Sequence, residues 1–129
     1  MADGTDTRPL SPHLWSWKWH ATMAASIFHR ATGVGNYLGA MLIAGWLFAV
    51  ASGPEAYQTY AVLFESPLGQ LVLFGFTVSV FFHLANGIRY LVWDAGHGFT
   101  PKLASNISIL NIAIGVFGAA ALWIVAGLV

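Results

Sequence analysis

Three stretches of this chain are too long and too free of charge to be covered by anything but lipid. Ala31 to Ser52 carries no charged residue, and its run GVGNYLGAMLIAGWLFAVAS is mostly apolar. Ser66 to Ile88 is a second such run, and Leu103 to Val129 a third. A helix of about 20 apolar residues spans a bilayer, and lipid offers the backbone no hydrogen-bonding alternative. Composition agrees: hydrophobic residues make up 57% of the 129 and charged residues 8%, against roughly 25% charged in ordinary globular chains. So few charged side chains cannot clothe a soluble domain. The expectation is an all-α membrane protein with three transmembrane helices, at about residues 22–52, 66–93 and 103–129. Residues 1–21 form a cytoplasmic or interfacial segment, and 22–129 the transmembrane domain.

The connections are short, so consecutive helices should lie side by side as an up-down-up bundle. Residues 53–65, GPEAYQTYAVLFE, open on a Gly-Pro breaker and leave room for a short interfacial helix. Residues 94–102, DAGHGFTPK, form a glycine-rich turn closed by Pro101. Arg8, Lys18 and Arg30 lie towards the N-terminus and Arg89 and Lys102 flank the second connection, while the first connection has only Glu55 and Glu65. By the positive-inside rule the N-terminus and the 94–102 turn are cytoplasmic and the C-terminus is outside. Trp15, Trp17, Trp19 and Trp93 fall at that cytoplasmic boundary, where indole rings prefer to sit.

Ionisable residues within a span cost roughly 2.5–3.5 kcal/mol on insertion scales, so those present need a reason. Ser26, His29 and Arg30 belong to the first span, and His83, Asn86 and Arg89 to the second. Arg30 lies about 10 Å inside a boundary near Met23 and Arg89 about 7 Å inside one near Asp94, shallow enough for both to snorkel. His83 is about 16 Å from Asp94, close to mid-membrane. A lone buried histidine ordinarily hydrogen-bonds a neighbouring helix. Here Gly87 sits one turn along the same face, leaving a flat gap beside the imidazole, and Tyr90 and Asp94 continue that face. On the first helix Ser26, Arg30 and Gly33 share a face, with His29 alongside. An imidazole at mid-depth with cations nearer one surface suits haem b, whose propionates are displaced from its iron by about half the macrocycle.

These residues resemble those of the larger, C-type cytochrome b membrane anchor of succinate dehydrogenase, respiratory complex II. The match lies in RPLSPHLW (8–15), SIFHRATG (26–33) and HLANGIRYLVWD (83–94), and the three-helix layout follows along the whole chain. The family pattern is R-P-L-S-P-H-L, S-I-x-H-R-x-[ST]-G and H-x-x-x-G-[IL]-R-H-x-x-x-D. The resemblance implies that His83 is an axial ligand of haem b, that Ser26 and Arg30 line the ubiquinone site, and that His29 lies near the haem propionates. Gly87, Arg89 and Tyr90 fall on the haem-pocket side, with Arg30 shared between the two sites. Tyr90 stands where the family has His; a phenol can hydrogen-bond a propionate but carries no positive charge. The resemblance also implies a small partner anchor supplying the second axial ligand, an iron–sulfur subunit, and a flavoprotein with covalent FAD. Electrons would pass from succinate to ubiquinone, and this chain would hold the quinone near the last cluster.

Two other readings stand beside this one. The same architecture serves fumarate reductases, which run the reaction in reverse. A small transporter or assembly subunit would use Arg30 and His83 as a proton relay, but no internal repeat is visible, and Glu55, Glu65 and Asp94 all fall at span boundaries. Zero net charge without a basic run gives nucleic acid no foothold. The absence of cysteine excludes disulfides and thiolate ligation within the chain. The first ten residues lack both the apolar core of a signal peptide and the Arg-rich bias of a transit peptide. That leaves a bacterial chain or one whose presequence has been removed; a bacterial inner (plasma) membrane is the reading taken. Asn36, Tyr37, Asn106 and Asn111 are assigned to helix–helix packing, His97 to solvent, and His13 and His20 to contact with the iron–sulfur subunit.

Overall fold

The computed structural model describes residues 18–128, all of it helix and short connection: α1 (Ala21–Ser52), α2 (Pro54–Glu65), α3 (Pro67–Asp94) and α4 (Pro101–Leu128). The segment RPLSPHLW, with Trp15, Trp17 and His13, lies outside the described residues. Helices α1, α3 and α4 are each long and apolar enough to cross a membrane. The short helix α2 fills the first connection, for which the Gly-Pro opening left room.

Prolines set the helix starts. Pro54 and Pro67 stand in the first turns of α2 and α3, and Pro101 begins α4. There the missing N–H is one the helix could not have bonded, and φ is already helical. Pro101 therefore opens the last span, two residues before the expected Leu103, instead of ending the turn. Gly53, at φ 111°, turns the chain between α1 and α2 in a region that favours glycine. The Ser66 hydroxyl caps α3 by accepting from Gly69 N at 3.0 Å. At the head of α1, His20 Nδ1 accepts from Met23 N at 3.2 Å, so His20 serves as its N-cap.

Cross-helix pairs give the packing. Ser26 meets Tyr90, Thr32 meets His83, and Asn36 meets Ser79, so partner numbers fall as those of α1 rise. Helices α1 and α3 are thus antiparallel. The same holds for α3 and α4, where Ala85 and Asn86 face Asn111 and Thr77 faces Trp123.

The interior is small and polar, while the large apolar side chains point outwards. Ala25, Ala49, Ala104 and Ala119 are buried with Phe82, together with Asn86, Arg89, Ser108 and Asn111. Phe48, Leu71, Leu91 and Phe117 are among many exposed apolar residues. That distribution suits a chain in lipid, where hydrocarbon covers leucine as well as a core would, and where close backbone approach and hydrogen bonds hold helices together. Ala104, Ser108, Asn111, Gly115 and Ala119 recur at three- and four-residue spacing and form the face of α4 turned inwards. A Cβ at Gly115 would lie 2.8 Å from Phe82 Cβ; only glycine permits this approach of α4 to α3.

Candidate functional site

The polar residues of the spans separate into two groups on opposite sides of α3. The first lies between α1 and α3. His29 and His83 stack with ring centroids 3.9 Å apart and planes within 15°. Each histidine begins an H-x-x-x-G segment, His29 to Gly33 and His83 to Gly87. The antiparallel pairing sets each ring against the other helix's glycine. A Cβ at Gly33 would meet His83 Cε1 at 3.4 Å, and one at Gly87 would meet His29 Cε1 at 4.0 Å. The space beside Gly87, expected from the sequence as a gap next to His83, is lined by the His29 ring.

Thr32 bears on the chemical form of His83. Its Oγ1 lies 2.8 Å from Phe28 O and 3.0 Å from His29 O, and 3.2 Å from His83 Nδ1. A hydroxyl has one proton. Donated to a carbonyl of its own helix, it leaves Oγ1 to accept from Nδ1–H, and His83 then presents an unprotonated Nε2, the form in which imidazole binds a metal. Nε2 has no hydrogen bond among the described residues, and the buried Nδ1 of His29 is likewise without a partner. One imidazole with its outer nitrogen held, a second with an unspent nitrogen, and glycine at both facing positions fit the needs of an axially ligated haem.

Within about one turn of His29 on α1, Ser26, Arg30 and Tyr90 converge. Tyr90 Oη donates to Ser26 Oγ at 3.3 Å, and Arg30 Nε reaches back along its helix to Ser26 O at 3.4 Å. The Tyr90 ring also sits 5.1 Å from that of His29, joining this cluster to the histidine pair. Arg30 is exposed and Ser26 half-buried. The arrangement offers a hydroxyl and a cation to a ligand arriving at the outer face of α1.

Arg89 belongs to the second group. It is buried, 3% exposed, with Nη1 donating to Asn86 Oδ1 at 3.1 Å and the guanidinium carbon 3.9 Å from the centre of the Trp93 ring. Asn111 Nδ2 donates to the same Asn86 oxygen at 3.3 Å. Arg89 Nε and Nη2 have no hydrogen-bond partner among the described residues. The fold brings His83, His29, Gly87, Tyr90, Ser26 and Arg30 together and directs Arg89 to the side of Asn86 and α4. Snorkelling to the interface does not describe a guanidinium so enclosed.

The packing assignment holds for Asn111 and for Asn36, whose Oδ1 accepts from Ser79 Oγ at 2.6 Å. It does not hold for Tyr37, 67% exposed, or for Asn106, also exposed; both point away from the bundle. His97 is exposed in its turn. Sequence reading passed over Thr32 and the Ser26–Tyr90 contact. The signal for the first was a hydroxyl inside the same eight-residue motif, and for the pairing of the faces the two H-x-x-x-G segments.

Comparison with known proteins agrees with this layout. Residues 4–126 match the family described as "Succinate dehydrogenase/Fumarate reductase transmembrane subunit". The succinate dehydrogenase cytochrome b556 subunit of Paracoccus denitrificans is 36% identical over 114 residues, 88% of each chain. That of Rickettsia conorii is 34% identical, over 84% of this chain and 83% of its own. The mitochondrial cytochrome b560 subunit of Sus scrofa is 34% identical, over 83% of this chain and 66% of its own. Three apolar spans, a histidine pair between the first and second of them, and these matches place the chain in the succinate dehydrogenase/fumarate reductase transmembrane subunit family.

Proposed function

We propose that this chain is the larger membrane anchor of a succinate:quinone oxidoreductase in a bacterial inner membrane, holding haem b and forming part of the ubiquinone-reduction site. His83 would hold the iron through Nε2, with Thr32 keeping the imidazole in the ligating tautomer. A small partner anchor would supply the second axial ligand. When bound, the haem supplies a one-electron redox centre beside the quinone. His29 would line the propionate side, and Gly87 would leave the pocket room. The N-terminal segment and the 95–100 turn would face the cytoplasm, where the iron–sulfur subunit and the FAD-bearing flavoprotein dock.

The observation that carries the reading is the convergence on Ser26 of the Tyr90 hydroxyl and the Arg30 side chain. A neutral quinone forms only ordinary hydrogen bonds, but its carbonyl oxygens gain negative charge as electrons arrive. The Ser26 hydroxyl would donate to one such oxygen, and the fixed Arg30 cation would favour the charged forms over the neutral one. An aligned donor or cation of this kind contributes about 10²–10³ in rate. Ser26→Ala and Arg30→Leu are therefore expected to lower succinate-to-quinone turnover by about 10²–10³, with succinate oxidation by a soluble artificial acceptor nearly intact. Wild-type quinone turnover in Ser26→Ala would remove the quinone contact from this position.

A further inference from the structure

We propose that Tyr90 is a positioning residue of the quinone site, acting through Ser26 by setting its hydroxyl as a hydrogen-bond donor. The inference rests on the reading of Ser26 given above and moves Tyr90 from the haem propionates to the quinone.

Most hydroxyls in these helices spend their protons along the helix itself. Thr32, Ser52, Thr59, Thr77 and Ser108 each donate to the carbonyl four residues earlier, the usual outcome for Ser and Thr inside a helix. A hydroxyl bonded that way has no proton left for a ligand. Ser26 does not donate to its own helix. Its Oγ instead accepts from Tyr90 Oη at 3.3 Å. Ser26 has one proton and two acceptor lone pairs. With Tyr90 on a lone pair, the proton is directed to a group outside the described residues.

Tyr90 is itself held in place. Its ring packs edge-on to Trp93 at 5.5 Å and 83°, and tilted against His29 at 5.1 Å and 49°. Neither aromatic neighbour gives the phenol oxygen a competing hydrogen bond, and Ser26 is its partner among the described residues. The sequence Tyr90 O–H to Ser26 O–H to a quinone carbonyl is a chain in which each bond polarises the next. Both links are neutral, so the chain orients the quinone without a charged group in the membrane, and Arg30 remains free to answer charge as it develops. A histidine at this position would also carry a ring N–H able to donate towards Ser26.

The test is a double-mutant cycle on the purified complex with a short-chain ubiquinone as acceptor, each rate divided by the same preparation's rate with a soluble artificial acceptor. Tyr90→Phe is expected to raise KM for the quinone and lower kcat/KM by about 3- to 10-fold, as loss of one hydrogen bond would. Tyr90→His should stay within about 2-fold of wild type. In a Ser26→Ala background Tyr90→Phe should add less than about 2-fold, because coupled residues do not add. The reduced haem band should not move in Tyr90→Phe. Equal penalties in both backgrounds, or a shifted haem band with unchanged quinone kinetics, would overturn the assignment and return Tyr90 to the propionates. Should Tyr90→Phe fail to assemble, Tyr90→His and Tyr90→His with Ser26→Ala carry the test: an independent loss of more than about 3-fold on Tyr90→His contradicts it. A Ser26→Ala enzyme with wild-type quinone turnover refutes the quinone site as a whole, whereas an impaired Ser26→Ala beside an unaffected Tyr90→Phe refutes only the role of Tyr90.

Discussion

Asn86 shows how much a single side chain must do where there is no water. It is fully buried, and its Oδ1 accepts from both Arg89 Nη1 and Asn111 Nδ2. Interhelical hydrogen bonds in membranes contribute on average only about 0.6 kcal/mol, but here one oxygen serves a buried cation. Among the described residues, Asn86→Leu would leave Arg89 without a side-chain acceptor and Asn111 with the Ala85 carbonyl alone. A loss of about 1–3 kcal/mol is expected, seen as a lower thermal midpoint of the purified complex, with Ser79→Ala, which frees only the neutral Asn36, costing less. Equal losses would show that Asn86 is an ordinary packing contact. The residue scale is also where sequence reading was least complete. Arg89 sits six positions after His83, about 120° away around a helix, whereas Tyr90 at seven positions returns to the same face within about 20°. Their adjacency in the motif conceals that difference. The contact of Tyr90 with Ser26 depends on the register of two helices 64 positions apart in sequence, which no local pattern carries.

At the scale of elements, spans were legible because lipid imposes a length and an apolarity that can be counted. Even the short α2 followed from a Gly-Pro break. Helix starts moved by one or two residues because proline at the first helical position belongs to the helix it opens. Which faces meet was less legible. Apolar residues surround each span, so hydropathy does not mark the buried side; glycine and the polar residues do. The contrast between two glycines makes this measurable. A Cβ at Gly115 would press on Phe82, while one at Gly75 would meet nothing within 4 Å. Gly115→Leu is expected to part α3 from α4 and lower the yield of assembled complex, at a cost of about 1–3 kcal/mol; Gly75→Ala should assemble at wild-type yield. Equal yields from the two would mean that α4 does not pack against α3 through this face.

For the whole molecule, orientation decides whether the proposed quinone site can receive electrons. Ser26, Arg30 and Tyr90 lie towards the end of the bundle that carries Lys18 and the 95–100 turn. By the positive-inside rule that end is expected in the cytoplasm. A reporter fused after Val129 should therefore be periplasmic and one inserted near Gly98 cytoplasmic; the reverse result would put the proposed quinone site on the side away from a docked iron–sulfur subunit. The central claim, that the histidine pair between α1 and α3 serves a haem, is tested most directly by the visible spectrum of the purified complex. The account predicts a low-spin b-type band in the reduced wild type, and its loss or conversion to a high-spin or weakly held form in His83→Leu, with the complex still assembled. An unaltered low-spin spectrum in His83→Leu, or a wild-type complex without a b-type band, would contradict it.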